Sequence, residues 1–344
     1  MGYDIISANM YSDISLWLSI AFVLGGLAAL AWSSDFFVAG AASLARFLGI
    51  SPFVIGMVVI GFGTSAPELC VSALSGLAGH SNLSLGNAYG SCIFNIVVIL
   101  GVAALIRPLV VKPTIAWIAA PMLVGITLLS YFLQRDGVCS RMESAALLVL
   151  FAVFMPLYCW FDQKGSPGAA EEPDASAAPR RSVAVAFVKT LVGLVVLVAS
   201  SHILVWGSVD LAKALGVSDL LIGLTIVAAG TSLPELASAV ASARRGENEF
   251  VLGNIVGSNL FNTLAVVGIA GAICPIRDFS PCILTRDLPL MGLASASILL
   301  FGANKRKPRE NGSVSRIEGL VWIVVFIAYS ALMLYQETHN QCPE

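Results

Sequence analysis

Long apolar runs separated by short polar breaks fill almost the whole chain. A helix that crosses a bilayer needs about 20 mainly apolar residues. Ten runs approach or exceed that length, at roughly 15–43, 51–78, 84–106, 114–133, 143–161, 183–212, 218–243, 251–273, 286–303 and 317–335. Between the fifth and the sixth, Asp162 to Arg181 is rich in Pro, Gly, Ala and charge, and reads as a flexible linker. The pattern predicts an all-α membrane protein of ten transmembrane helices. A first five-helix half covers 1–161, the linker 162–181, and a second five-helix half 182–344.

Polar residues interrupt the second and seventh runs in the same way. Gly61-Phe-Gly-Thr-Ser-Ala-Pro-Glu-Leu69 returns as Ala228-Ala-Gly-Thr-Ser-Leu-Pro-Glu-Leu236. Each copy is followed by a second signature, Gly86-Asn87-Ala-Tyr-Gly90-Ser91-Cys-Ile-Phe94-Asn95 and then Gly253-Asn254-Ile-Val-Gly257-Ser258-Asn-Leu-Phe261-Asn262. The offset stays at 167 from Leu44/Leu211 to Pro108/Pro275 without a gap, and about 40% of those positions are identical. The repeated units cover 56–108 and 223–275. An acid at membrane depth costs at least ~2.5 kcal/mol. Either Glu68 or Glu235 alone reads equally well as a paired structural acid; their matched duplication favours function.

Composition agrees. The chain is 57% apolar and 12% charged, with a mean hydropathy of +0.87, against about 25% charged in soluble domains. A net charge of −2 argues against a nucleic-acid partner. Residues 1–14 carry Asp4 and Asp13 and no basic stretch, so no cleavable signal peptide is expected. None of the seven cysteines forms a C-x-x-C pair, which disfavours a zinc or redox site. A disulfide among Cys139, Cys274, Cys282 and Cys342, outside the spans, stays open.

Basic residues set the orientation. The termini and the loops after spans 2, 4, 6 and 8 hold Arg135, Arg141, Lys213, Arg277 and Arg286. The other side holds the remaining fourteen of nineteen, among them Arg180, Arg181, Arg244, Arg245 and Lys305-Arg306-Lys307-Pro-Arg309. Both termini are therefore expected outside the cytoplasm and the linker within it. Five spans is an odd number, so the second half crosses in the opposite sense to the first. The expected architecture is two inverted five-helix repeats with helices 2 and 7 broken, as in many secondary transporters.

The broken helices gather oxygen. Pro67 and Pro234 lack an N–H, so the carbonyls of Gly63 and Gly230 lose their helical partners. Thr64, Ser65 and Glu68 lie on neighbouring faces of one turn, and Thr231, Ser232 and Glu235 repeat them. Ser91 with Asn95, and Ser258 with Asn262, each share a helix face. Gly86, Gly90, Gly253 and Gly257 have the spacing that allows close helix packing. Hard oxygen ligands suit calcium and sodium, and the motif holds no His or Cys to favour zinc or copper.

These residues closely resemble the two alpha repeats of the cation/calcium antiporter superfamily, the sodium/calcium exchangers, and in particular their bacterial calcium/sodium antiporter branch. The resemblance covers nearly the whole chain apart from the linker and tails. It implies a secondary active antiporter in a plasma (bacterial inner) membrane, with no cofactor beyond the transported calcium and sodium and no obligate protein partner. By position it makes Glu68 and Glu235 the central calcium ligands, with Thr64 and Thr231 acting mainly through their carbonyls. Ser65, Ser91 and the carbonyl of Gly61 would complete one sodium site; Ser232, Ser258 and the carbonyl of Ala228 its mirror. Asn95 and Asn262 would border the middle. Some relatives carry Asp at one of these two positions, and Cys92 stands where the family has Asn.

Other readings remain. Calcium exchanged for protons, or another divalent cation for protons, would use the same ligands. A cation channel is less favoured, because proline-broken inverted repeats suit alternating access better than an open pore. An intramembrane enzyme finds no support, since His80, His202 and His339 accompany no serine motif. Asp35, matched by His202, reads more simply as paired at a helix interface than as an ion gate.

Overall fold

The computed structural model describes residues 2–48, 51–77, 81–165, 180–214, 228–304 and 306–339. Its helices are α1 (Gly2–Leu48), α2 (Pro52–Thr64), α3 (Ala66–Leu77), α4 (Ser81–Ile106), α5 (Ile115–Gln134) and α6 (Arg141–Gly165), then α7 (Arg180–Ala214), α8 (Ala228–Thr231), α9 (Leu233–Arg245), α10 (Asn248–Ile273), α11 (Ile283–Gly302) and α12 (Arg316–Thr338). Four short strands lie between them: β1 (Leu109–Val111), β2 (Val138–Cys139), β3 (Ile276–Arg277) and β4 (Gly312–Val314). Among the described residues, eight helices are long and apolar enough to cross a membrane. The bent pair of α2 and the start of α3, at 46° to each other, makes a ninth. Of the expected span 218–243, residues 218–227 lie outside the described residues, and α8 and α9 form the rest.

Most helices overrun the apolar runs that predicted them. Hydropathy marks the part suited to lipid, whereas a helix continues until something caps it. Ser140 with Glu143, and Ser315 with Glu318, form matching capping boxes at α6 and α12. In each, the Ser N–H donates to the Glu carboxylate (2.8 and 2.6 Å) and the Ser hydroxyl accepts from the Glu N–H (3.3 and 3.4 Å). Of the expected linker 162–181, residues 162–165 belong to α6 and 180–181 to α7, and 166–179 lie outside the described residues.

The centre is built from α10 and α4, whose hydrophobic windows are 89% and 67% buried, against 17% for α6 and 11% for α12. Exposed Val149, Val153, Val324 and Ile327 on those outer helices are what a bilayer-facing surface requires. Helices α1 and α7 lie along each other outside this core. They share a separate apolar cluster of Leu30, Phe37, Ala41, Leu197 and Leu204, joined to α2 through Ile55 and Ile60.

Of the glycines expected to pack closely, Gly253 and Gly257 do so, where α10 crosses α2. A Cβ there would lie 2.3 Å from the carbonyl oxygens of Phe53 and Met57 respectively. No described atom lies within 4 Å of a Cβ at Gly86 or Gly90. The repeat counterparts of Phe53 and Met57, at 220 and 224, lie outside the described residues.

Two antiparallel ladders join the halves. β1 pairs with β4 (Leu109 opposite Val314) and β2 with β3 (Cys139 opposite Ile276). Near the first ladder, Lys112 pairs with Glu249 at 2.8 Å and Arg316 donates to the Ile106 carbonyl at 3.4 Å. Near the second, Arg141 donates to the Ile273 carbonyl at 3.5 Å and Ser280 N–H to Asn82 Oδ1 at 2.6 Å. The loops after spans 3, 7 and 9 thus meet around the first ladder, and those after spans 2, 4 and 8 around the second.

Cys139 and Cys274 are free thiols, Cys282 is disulfide-bonded, and Cys342 lies outside the described residues. Cys139 is buried in the second ladder; burial pushes its thiol pKa up, against a hydrogen bond with Ser144. Since the thiolate is the reactive form, Cys139 will resist N-ethylmaleimide in the folded protein and react once it is unfolded. Peptide mass spectrometry of detergent-solubilised protein checks this. Rapid labelling without unfolding would contradict the closed seam.

Candidate functional site

Both broken helices break at the same residue of the repeat. Ser65, between α2 and α3, has φ −83° and ψ 7°; Ser232, between α8 and α9, has φ −92° and ψ 8°. These values lie in the sparsely populated bridge region. Pro67 and Pro234 follow two residues later. Glu68 and Glu235 therefore stand in the first turns of α3 and α9, where free N–H groups and the helix dipole favour negative charge.

The serine at each break holds the acid of the opposite half. Ser65 Oγ donates to Glu235 Oε1 at 3.0 Å, and Ser232 Oγ to Glu68 Oε1 at 3.2 Å. The Ser232 hydroxyl also lies 3.3 Å from that of Ser91, and Ser258 Oγ donates to the Gly61 carbonyl at 3.3 Å. Thr64 donates its hydroxyl to the Ile60 carbonyl at 2.9 Å, the back-bond common for Thr in membrane helices, so its own carbonyl is what it has to offer a ligand. Glu68, Glu235, Thr64, Ser65, Ser91, Asn95, Ser232, Ser258 and Asn262 are all buried. Thr231, half-buried, closes α8, and Ala228 opens it.

Five buried atoms here have no hydrogen-bond partner: Glu68 Oε2, Glu235 Oε2, Asn95 Oδ1, and both Oδ1 and Nδ2 of Asn262. Four of the five are oxygen acceptors. An unmet buried polar group costs about 1–3 kcal/mol, and more when charged. Among the described residues no basic side chain pairs with either carboxylate, and no group of three or more His, Cys, Asp or Glu converges. The cluster is an acceptor-rich cage of hard oxygens, chemistry that suits a hard cation. Asn95 and Asn262 also sit where α4 and α10 widen into five-residue turns, Asn95–Leu100 and Phe261–Val266, a distortion frequent at functional sites.

Cys92 and Asn259 occupy the same repeat position and bond each other. Asn259 Nδ2 donates to the Cys92 carbonyl at 3.1 Å, and Cys92 Sγ to the Asn259 carbonyl at 3.7 Å. Asn95 Nδ2 donates to Asn259 Oδ1 at 3.0 Å. Equivalent residues in mutual contact mark the line where the halves meet, which gives the departure at Cys92 a structural setting. Asp35 stays outside the cage, its carboxylate 3.6 Å from Arg245 Nε and its carbonyl accepting from Arg245 Nη2 at 3.1 Å. His202 is exposed on α7, and His80 lies outside the described residues. Asn87 and Asn254, which the sequence analysis gave no role, contact the backbone of both acids; their signal was the Gly-Asn pair duplicated at the fixed offset.

A family model described as sodium/calcium exchanger protein matches residues 18–160 and 185–335. The chain belongs to the sodium/calcium exchanger family. The matched segments take in both halves and leave out the linker between them. The protein CaxA of Alkalimonas amylolytica is 40% identical over 315 residues, covering 91% of this chain and 97% of its own length. Inner membrane protein YrbG of Escherichia coli (strain K12) is 33% identical over 323 residues, covering 92% and 99%. A solved structure of the sodium-calcium exchanger NCX_Mj, soaked with sodium and strontium, has a TM-score of 0.78 at 30% identity, covering 92% of this chain and 98% of that one. With its apolar helices, this exchanger-family chain is an integral, multi-pass membrane protein.

Proposed function

We propose that this chain is a secondary active antiporter that exchanges calcium for sodium by alternating access at one site between Glu68 and Glu235. One observation carries the reading. Two buried carboxylates each have one oxygen held by the opposite half's serine and the other without a hydrogen-bond partner. Their combined charge matches one divalent cation or a set of monovalent ones, so the occupants exclude each other. Exclusion at a site open to one side at a time is the basis of antiport.

In this reading Glu68 and Glu235 bind calcium with the carbonyls of Thr64 and Thr231. Ser65, Ser91 and the carbonyl of Gly61 hold one sodium; Ser232, Ser258 and the carbonyl of Ala228 hold its mirror; Asn95 and Asn262 border the middle. The hydrogen bonds from Ser258 to Gly61 and from Ser65 to Glu235 join atoms that a cation would bridge instead. Ten spans form two inverted five-helix repeats, 1–161 and 182–344, around a cytoplasmic linker. Both termini face out of a bacterial inner membrane. The crossed Ser–Glu pairs, the two ladders between halves and the sorting of basic loops support that arrangement. The name of NCX_Mj supports the choice of ions.

The test is calcium uptake by purified protein in proteoliposomes loaded with sodium, with potassium, or given only a pH gradient. Uptake will follow the sodium gradient and collapse when it is dissipated. Uptake driven by the pH gradient alone would make the counter-ion a proton, and uptake indifferent to any counter-ion would make the protein a channel.

A further inference from the structure

Asn87 on α4 places both N–H groups of its side-chain amide on α3. Its Nδ2 donates to the Glu68 carbonyl at 3.0 Å and to Ser72 Oγ at 2.9 Å. Asn254 on α10 repeats this on α9, donating to the Glu235 carbonyl at 3.3 Å and to Ser238 Oγ at 3.0 Å. A two-point clip therefore occurs once per half at the peptide of each acid: the asparagines and the acids are each 167 residues apart, while the serine partner shifts by one position, from Ser72 to Ser238. We infer that Asn87 and Asn254 are positioning residues that fix the backbone of Glu68 and Glu235 and so aim the carboxylates at the shared ion. The inference rests on the antiport reading above.

The physical need comes from the breaks. A helix's first turn has no N–H partners of its own, and Pro67 and Pro234 remove a further donor from that turn. The acids thus sit on the least constrained part of α3 and α9. A side-chain amide reaching in from the neighbouring helix supplies the constraint that the broken helix lacks. Around Asn87 the hairpin is also closed by Ser72 and Ser84, each hydroxyl donating to the other residue's carbonyl at 3.0 Å. Ala239 and Val251 stand at those positions in the second half, so there the clip depends more on Asn254. That residue has another contact: the Thr64 hydroxyl, whose one proton goes chiefly to the Ile60 carbonyl, shares it with Asn254 Oδ1 at 3.4 Å. One amide then touches the break of the first half and the acid of the second.

The test measures calcium binding at equilibrium and calcium–sodium exchange in Asn87→Ala, Asn254→Ala and Ser84→Ala. The corresponding Ser variants of the two asparagines, which keep a hydroxyl too short to reach the carbonyl, are used if an Ala variant does not fold. Loss of such supporting contacts typically weakens metal binding by ~10–100-fold. Asn87→Ala and Asn254→Ala will raise the half-saturating calcium by about that factor, with the larger effect at Asn254 and a smaller change in maximal rate. Ser84→Ala, which touches neither acid, will lower the melting temperature without moving calcium affinity. Asparagine variants that lose stability but keep wild-type affinity would overturn the inference. Wild-type protein that binds calcium but exchanges none would overturn the antiport reading instead, and the affinity ratios would still decide the clip.

Discussion

Glu68→Gln and Glu235→Gln will each reduce calcium exchange by about 100-fold or more while leaving the protein folded. A unit charge pair at about 4 Å is worth roughly 4 kcal/mol at an effective dielectric of about 20, and a divalent cation facing one carboxylate instead of two loses at least that. Glutamine keeps the oxygen that accepts from Ser232 or Ser65, so the crossed contacts survive. It also removes a buried acid that no basic side chain pairs with among the described residues. Melting temperature without calcium should therefore hold or rise as activity disappears. Flux assays and thermal melts on the same preparation check both halves of the expectation. A variant that retains more than a tenth of wild-type exchange, or that loses activity only by unfolding, would count against the role given to the pair.

Gly257→Ala will cost most of the folded protein. Its new methyl would sit 2.3 Å from the Met57 carbonyl oxygen, and backbone cannot rotate away as a side chain can. Overpacking a core costs typically 1–3 kcal/mol and occasionally more, and a clash with backbone belongs at the upper end. α2 would be pushed off α10, carrying the Ser65 break with it. Gly253→Ala, against the Phe53 carbonyl, will behave alike. Gly125→Ala, on exposed α5 with no described atom within 4 Å, will be neutral or stabilising by up to about 1 kcal/mol. Fluorescence-detected gel filtration across the three variants checks the order. Normal yields at Gly257→Ala would mean that α2 and α10 do not cross so closely.

Much of the site was legible in the residues because the chain states it twice. Thr-Ser-x-Pro-Glu duplicated at a constant offset located both breaks and both acids, and Ser-x-x-x-Asn located the helices that face them. Three things were not legible. The pairing across halves, Ser65 to Glu235 and Ser232 to Glu68, follows from how the halves meet, which no local pattern records. The wide turns at Gly56–Gly61, Asn95–Leu100 and Phe261–Val266 leave no trace in apolar periodicity, since apolar residues fill nearly every position around them, whether buried or, like Val58 and Phe62, exposed. The clip at Asn87 and Asn254 was visible only as a repeated dipeptide; its meaning depends on which carbonyl the amide reaches. Helix ends differ from the apolar runs for another reason: hydropathy reports the solvent a segment suits, and capping residues such as Ser140 and Ser315 decide where a helix begins.

The claim at the centre is that calcium and sodium compete for one cage between Glu68 and Glu235. Equilibrium binding of radioactive calcium to the purified protein, titrated with sodium at constant ionic strength, tests it most directly. The account predicts that sodium displaces calcium completely and that Glu68→Gln retains none. Calcium that stays bound at saturating sodium, or that binds Glu68→Gln as it binds wild type, would contradict it.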